Sequence, residues 1–218
     1  MADSYSEGLW EEAEPIWRGI SQHPFLMAVK GGTLPEEKFR YYIIQDYLYL
    51  EAFARSVALA LAKAPDATTM ASLSKRIATP TERPYHRKLM PLLGISQAEV
   101  EKTVPSPTNL AYSNHILRVA ALEPLGPTAA ALLPCPWTYH ELGPVLGFVE
   151  HPVYGPWCSI YAEGFLEESV KTWRMVVDRM ASQASAGELA SMRSAFLTSI
   201  RYELMFWDMA YKEESWGI

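Results

Sequence analysis

Apolar residues recur along this chain three and four apart, the helical spacing, and almost nowhere at the alternation of a strand. Leu9, Ile16, Trp17 and Ile20 mark one face of a helix over about 6–21, which Pro15 bends or restarts. His23-Pro24-Phe25 breaks that pattern, and Phe25 to Lys30 reads as a further turn or two. A stop at Gly31-Gly32 is followed by Thr33-Leu34-Pro35-Glu36-Glu37, a helix start with two acids at the positive end. The helix this predicts, Pro35 to Ala64, is apolar nearly all round, as a central buried helix is. Further helices are predicted over 66–93, with kinks near Pro80 and Pro84, and over 96–103, 109–122, 128–133, 136–149, 157–165 and 166–182. The last runs from Glu188 to Lys212. Val145 to Val149 is the one strand-like run, and it has no partner. The expected architecture is one all-α bundle of eight or so helices, a single domain over 1–218.

Two of these helices carry an acid where the pattern asks for an apolar residue. One stripe of the long helix reads Phe39, Tyr42, Asp46, Tyr49, Phe53, Val57. The inward stripe of the last reads Leu189, Met192, Phe196, Ile200, Glu203, Trp207, Ala210. A buried carboxylate is costly unless paired or hydrogen-bonded. The plain alternatives are that Asp46 accepts a bond from a tyrosine or an arginine, and that Glu203 rotates to solvent. Tyr112, His115 and Val119 share one face of the 109–122 helix, and His86 reads as a satisfied structural histidine.

A third unusual site is Pro134-Cys135-Pro136-Trp137-Thr138-Tyr139. Each proline disfavours helix in the residue before it, so Leu133 and Cys135 are expected to be extended, with a helix starting at Pro136. Cys135 then stands at a helix mouth, a setting that lowers a thiol pKa. Tyr139, four residues on, reaches back along the same face. The plain reading is a buried cysteine acting as a small hydrophobe.

Composition narrows the function classes. Hydrophobic residues are 49% of the 218, enough for a substantial core, and the formal charge is −6. That balance argues against a general nucleic-acid or anionic-membrane surface. The start Met1-Ala-Asp-Ser-Tyr-Ser-Glu-Gly is polar and acidic, unlike an export signal. The longest apolar candidate, around Ser56 to Ala64, is too short to cross a bilayer. The expected setting is the cytoplasm, with Cys135 and Cys158 as free thiols. Common metal-site and nucleotide motifs are absent from the sequence.

Taken together, His23-Pro24-Phe25, Gln45-Asp46-x-x-Tyr49-Leu50, Ala111-Tyr112, Pro134-Cys135-x-Trp137-x-Tyr139, Tyr161 and Tyr202-Glu203-x-x-Phe206-Trp207-Asp208 resemble the TenA/thiaminase II family in order and separation. The resemblance covers almost the whole chain and, through Cys135, points to the cysteine-containing branch. It implies a haem-oxygenase-like helical fold, a homotetramer, and hydrolysis of aminopyrimidines in thiamin salvage, with no cofactor or metal. It implies Cys135 as nucleophile, Glu203 as acid/base, and Asp46 as the group holding the 4-amino group and adjacent ring nitrogen. Tyr49, Tyr112, Tyr139 and Tyr161 would line the pocket. The residue types suit that chemistry: a carboxylate meets an amidine edge, tyrosines stack on a flat ring, and a thiolate divides one hard step in two. Rival readings are a di-iron oxidase drawing on Glu82, His86 and Glu163 or Glu203, a non-catalytic pyrimidine-binding or regulatory protein, and a haem protein with His23 as axial ligand.

Overall fold

Side-chain caps set where several helices begin. In the computed structural model, which describes residues 4–78 and 83–217, Ser4 and Ser185 each form a reciprocal capping box with the glutamate three residues on. Ser96 and Ser106 cap in the same way without the return bond. His23 uses its ring, with Nδ1 accepting from the Phe25 N–H at 3.2 Å.

The described residues form twelve α-helices. They are α1 Tyr5–Ser21, α2 Pro24–Lys30, α3 Glu36–Ala62, α4 Ala67–Ala78, α5 Arg83–Leu89 and α6 Gln97–Lys102. Then come α7 Pro107–Leu122, α8 Leu125–Leu132, α9 Pro134–Leu146, α10 Tyr154–Ala162, α11 Glu167–Ala181 and α12 Ala186–Lys212. A short 3-10 turn, Met90–Leu93, follows α5. There is no strand among the described residues, and Val145 and Leu146 complete α9 instead. None of the helices is long and apolar enough to cross a membrane.

Twelve helices replace the eight or so expected, and prolines explain several boundaries. Apart from Pro136, which was expected to open a helix, they were expected to stand before the helices; the structure takes all of them inside the first turn. Pro107, Pro127, Pro134, Pro136 and Pro156 all lie there. The first N–H groups of a helix have no intrahelical acceptor, so a proline at that point forfeits nothing. Leu133 is accordingly not extended: its φ and ψ are −62° and −39°. Its N–H bonds the Ala129 carbonyl at 3.0 Å and its own carbonyl accepts from Trp137 N at 3.2 Å. α8 therefore runs into α9 with one helical residue between them, and Cys135 sits within the first turn of α9 rather than ahead of it. Pro80 lies outside the described residues.

α3 and α12, of 27 residues each, are the two long members of the bundle. α8 is buried along its whole length and packs on α12, α11, α7 and α3. One continuous apolar cluster joins the helices. α9 crosses α10 at Gly143, where a Cβ would run into the Tyr161 carbonyl carbon and oxygen. That contact fixes Tyr161 against the helix that carries Cys135. Gly143→Ala is expected to destabilise the protein by about 1–3 kcal/mol, the usual cost of overpacking. Urea denaturation measures it, and an unchanged midpoint would contradict the tight crossing.

Candidate active site

The two acids and the thiol come from three helices and are all buried in the interior. Asp46 on α3, Cys135 on α9 and Glu203 on α12 expose 4%, 6% and 3% of their surface. Glu203 did not rotate to solvent, because hydroxyl groups meet it inside. Tyr112 Oη on α7 donates to its Oε1 at 2.6 Å. Thr138 Oγ1 on α9 lies 3.4 Å from Oε2 and 3.1 Å from the Cys135 carbonyl, so its single hydrogen is shared between them. Thr138 thus ties the turn that bears the thiol to the acid on α12.

Tyrosine rings enclose this group. Tyr49 stacks on Tyr112 with centroids 4.8 Å apart, and Tyr112 stacks on Tyr202 at 5.2 Å. Tyr139 leans on Tyr161 at 5.1 Å, and its hydroxyl is 2.9 Å from that of Tyr42. Burial pushes the phenols of Tyr49, Tyr112 and Tyr139 well above the ordinary tyrosine pKa. Nearby negative charge adds to this: Cys135 and Glu203 act on both Tyr49 and Tyr112, and Asp46 and Glu203 act on Tyr139. These phenols remain protonated at neutral pH, and that of Tyr112 serves as a donor to Glu203.

At the Asp46 end the partner is a histidine. His86 Nε2, on α5, is 2.8 Å from Asp46 Oδ2, and both side chains are buried. The pattern of apolar positions carries no signal for this pair, because it joins two helices distant in sequence. Tyr42 stood on the same stripe as Asp46, but its bond to Tyr139 could not be read from it. Thr138 is three residues past Cys135, which is one helical turn, and that spacing could have singled it out. Every residue expected at the site (Asp46, Tyr49, Tyr112, Cys135, Tyr139, Tyr161 and Glu203) is buried. Contacts and fields between them join all seven into one cluster.

The rival readings find different surroundings. Glu82 lies outside the described residues, and Glu163 is exposed. No group of three or more His, Cys, Asp or Glu that could hold a metal occurs among the described residues. His23 is occupied as the cap of α2, with Nε2 3.5 Å from Asp208.

A family model described as TENA/THI-4/PQQC matches residues 10–213. The chain belongs to this family. Among TENA/THI-4/PQQC relatives, the aminopyrimidine aminohydrolase of Halalkalibacterium halodurans is 39% identical, with 98% of each chain covered. That of Bacillus subtilis is 33% identical over 98% of this chain and 92% of its own. The solved structure of a TenA homologue from P. horikoshii superposes with a TM-score of 0.85 at 28% identity, over 96% of this chain and 99% of that one. A protein of Shewanella denitrificans described as having a heme oxygenase-like fold reaches 0.78 at 13% identity, over 95% and 92%. The last likeness is one of fold alone, and it agrees with the architecture expected from the sequence.

Both cysteines are buried, and neither is in a disulfide. Burial pushes the Cys158 thiol up to about 12, so it stays protonated, and thiol reagents attack the thiolate. At pH 8 Cys158 is therefore expected to remain unmodified by iodoacetamide in the native protein and to react after unfolding. Peptide mass spectrometry reads both states, and native labelling at Cys158 would contradict its sealed environment.

Proposed function

We propose that this chain is an aminopyrimidine aminohydrolase of thiamin salvage. It converts 4-amino-5-aminomethyl-2-methylpyrimidine to the 5-hydroxymethyl compound and ammonia, and hydrolyses thiamin more slowly to the same pyrimidine and the thiazole. What supports this reading is that Cys135, Glu203 and Asp46 are all buried and each acts on one or more of the same set of tyrosines. The names of the relatives support the reaction class.

Within this reading Asp46 grips the amino edge of the ring, and Tyr49, Tyr112, Tyr139 and Tyr161 surround its faces and rim. The bond to be broken joins the exocyclic methylene to a poor leaving group, an amine. Cys135 thiolate adds to a ring carbon and the electron pair moves onto ring nitrogen. That pair then expels the amine, which takes a proton from Glu203. Water adds to the exposed methylene carbon and gives its proton to Glu203. The ring finally releases the thiolate, so the sulfur is regenerated and ammonia and alcohol are the net products. Glu203 thus gives a proton and later takes one. Thr138 suits both states, since a hydroxyl donates to a carboxylate and accepts from a carboxylic acid. Tyr112 stays a donor throughout.

The reading also carries a cytoplasmic homotetramer. Leu122 and Phe148, 71% and 73% exposed, are apolar surface of the kind subunit contacts cover. Light scattering on the purified protein is expected to give a mass near four chains; a monomer would remove this part of the proposal.

Side-by-side hydrolysis tests the chemistry. The aminomethyl compound is expected to turn over faster than thiamin, and Cys135→Ser is expected to lose at least about a hundredfold in kcat on both. A fully active Cys135→Ser enzyme would reject the covalent route. Glu203→Gln is expected to lower kcat by roughly 10²–10⁴ with KM little changed, because its role lies in proton transfer. A rise in KM at normal kcat would instead make it a binding residue.

A further inference from the structure

The close contact that the structure gives Asp46 is with a histidine. Arg87 turns to Tyr47 Oη, 3.4 Å away. Tyr42, on the same stripe as Asp46, has its hydroxyl 2.9 Å from that of Tyr139. What faces Asp46 Oδ2 is His86 Nε2 at 2.8 Å, with side-chain exposures of 5% and 2%. Oδ2 and Nε2 are both sealed from solvent, and among the described residues neither atom has a partner besides this close ion-pair contact, whose angle falls short of an aligned hydrogen bond. Two lone pairs at that distance would repel, so a hydrogen lies between the nitrogen and the oxygen.

We infer that His86 is a specificity-determining positioning residue: by occupying Oδ2 it fixes Asp46 as a hydrogen-bond acceptor, leaves Oδ1 for the ligand, and so selects a pyrimidine with an exocyclic N–H over one with a carbonyl at the same place. The inference rests on the reading in which Asp46 holds the amino edge of the ring. A 4-aminopyrimidine offers that edge an N–H donor beside a ring-nitrogen acceptor. The 4-oxo analogue reverses the order, with a carbonyl acceptor beside a ring N–H. An acceptor oxygen aimed at the exocyclic position pairs with the first and leaves the second with opposed lone pairs in a dry site, which is the strong form of polar discrimination. Remove the imidazole, and Asp46 becomes a buried carboxyl with no donor on Oδ2. Such a group takes up a proton more readily. A carboxylic acid both donates and accepts, so it fits either edge. His86 therefore decides selectivity without touching the substrate.

The test is the ratio of affinities for 4-amino-5-hydroxymethyl-2-methylpyrimidine and its 4-oxo counterpart, by titration calorimetry at pH 7.5. Wild type, His86→Leu, His86→Gln and Asp46→Asn are compared, with folding checked by circular dichroism and Tm. The amino-over-oxo ratio is expected to fall about tenfold or more in His86→Leu. In His86→Gln, whose amide N–H reaches about as far as Nε2, it is expected to stay within about threefold of wild type. If His86→Leu does not fold, His86→Asn replaces it, since the shorter amide withdraws the donor from Oδ2. A folded Leu or Asn variant whose ratio matches wild type overturns the inference, including the case where both affinities drop in equal proportion. If Asp46→Asn loses affinity for the amino compound while the His86 variants keep the ratio, only the role of His86 is rejected. If Asp46→Asn binds that compound unchanged, the underlying role of Asp46 is rejected with it.

Discussion

A carboxylate held in the dry interior by two hydroxyl groups governs this structure. Glu203 stands at a position of α12 that the helix pattern reserves for an apolar side chain. It stays there because Tyr112 and Thr138 reach it from α7 and α9. A buried acid that loses such a donor forfeits about 1–3 kcal/mol, so the arrangement ties α12 to α7 and α9. The same contacts place the thiol-bearing turn of α9 beside the acid, through the shared hydrogen of Thr138. Stability and chemistry here draw on the same few atoms.

Around that point the bundle is built largely of aromatic rings. Trp207, one turn beyond Glu203 on α12, stacks on Tyr42 at 5.1 Å and leans on Phe25 and Tyr139 at 5.4 and 5.6 Å. Trp157 meets Phe39, Tyr42 and Tyr161 edge-on. Rings have few torsions and pack in preferred offset or edge-on pairs, so such a wall holds its shape at low entropic cost. It gives the tyrosines of the site a rigid backing, and it couples α2, α3, α9, α10 and α12 through ring contacts.

Much of this was legible in the chain. The stripes through Asp46 and Glu203 pointed inward because helical periodicity is a local property, and it survived folding intact. Pro136 opens a helix as its fixed φ suggests, but Leu133 and Cys135 are helical rather than extended, because a first turn has no hydrogen bonds there for proline to remove. The Asp46–His86 pair stayed hidden for a different reason. It depends on how α5 is laid against α3, and spacing within one helix says nothing about that. Thr138 and Tyr42 lay in view but had no visible partner until the helices were assembled.

The two prolines in the opening turn of α9 have a consequence for where negative charge can rest. Proline has no amide hydrogen, and that of Trp137 is already bonded to Leu133. Of the main-chain hydrogens an ordinary helix mouth would offer an anion, Cys135 alone contributes one. A backbone cradle of the oxyanion-hole type is therefore denied to this corner of the molecule. In the proposed reaction, charge that builds up is received by side chains instead. That makes the electrostatics of the pocket unusually open to change by single side-chain replacement.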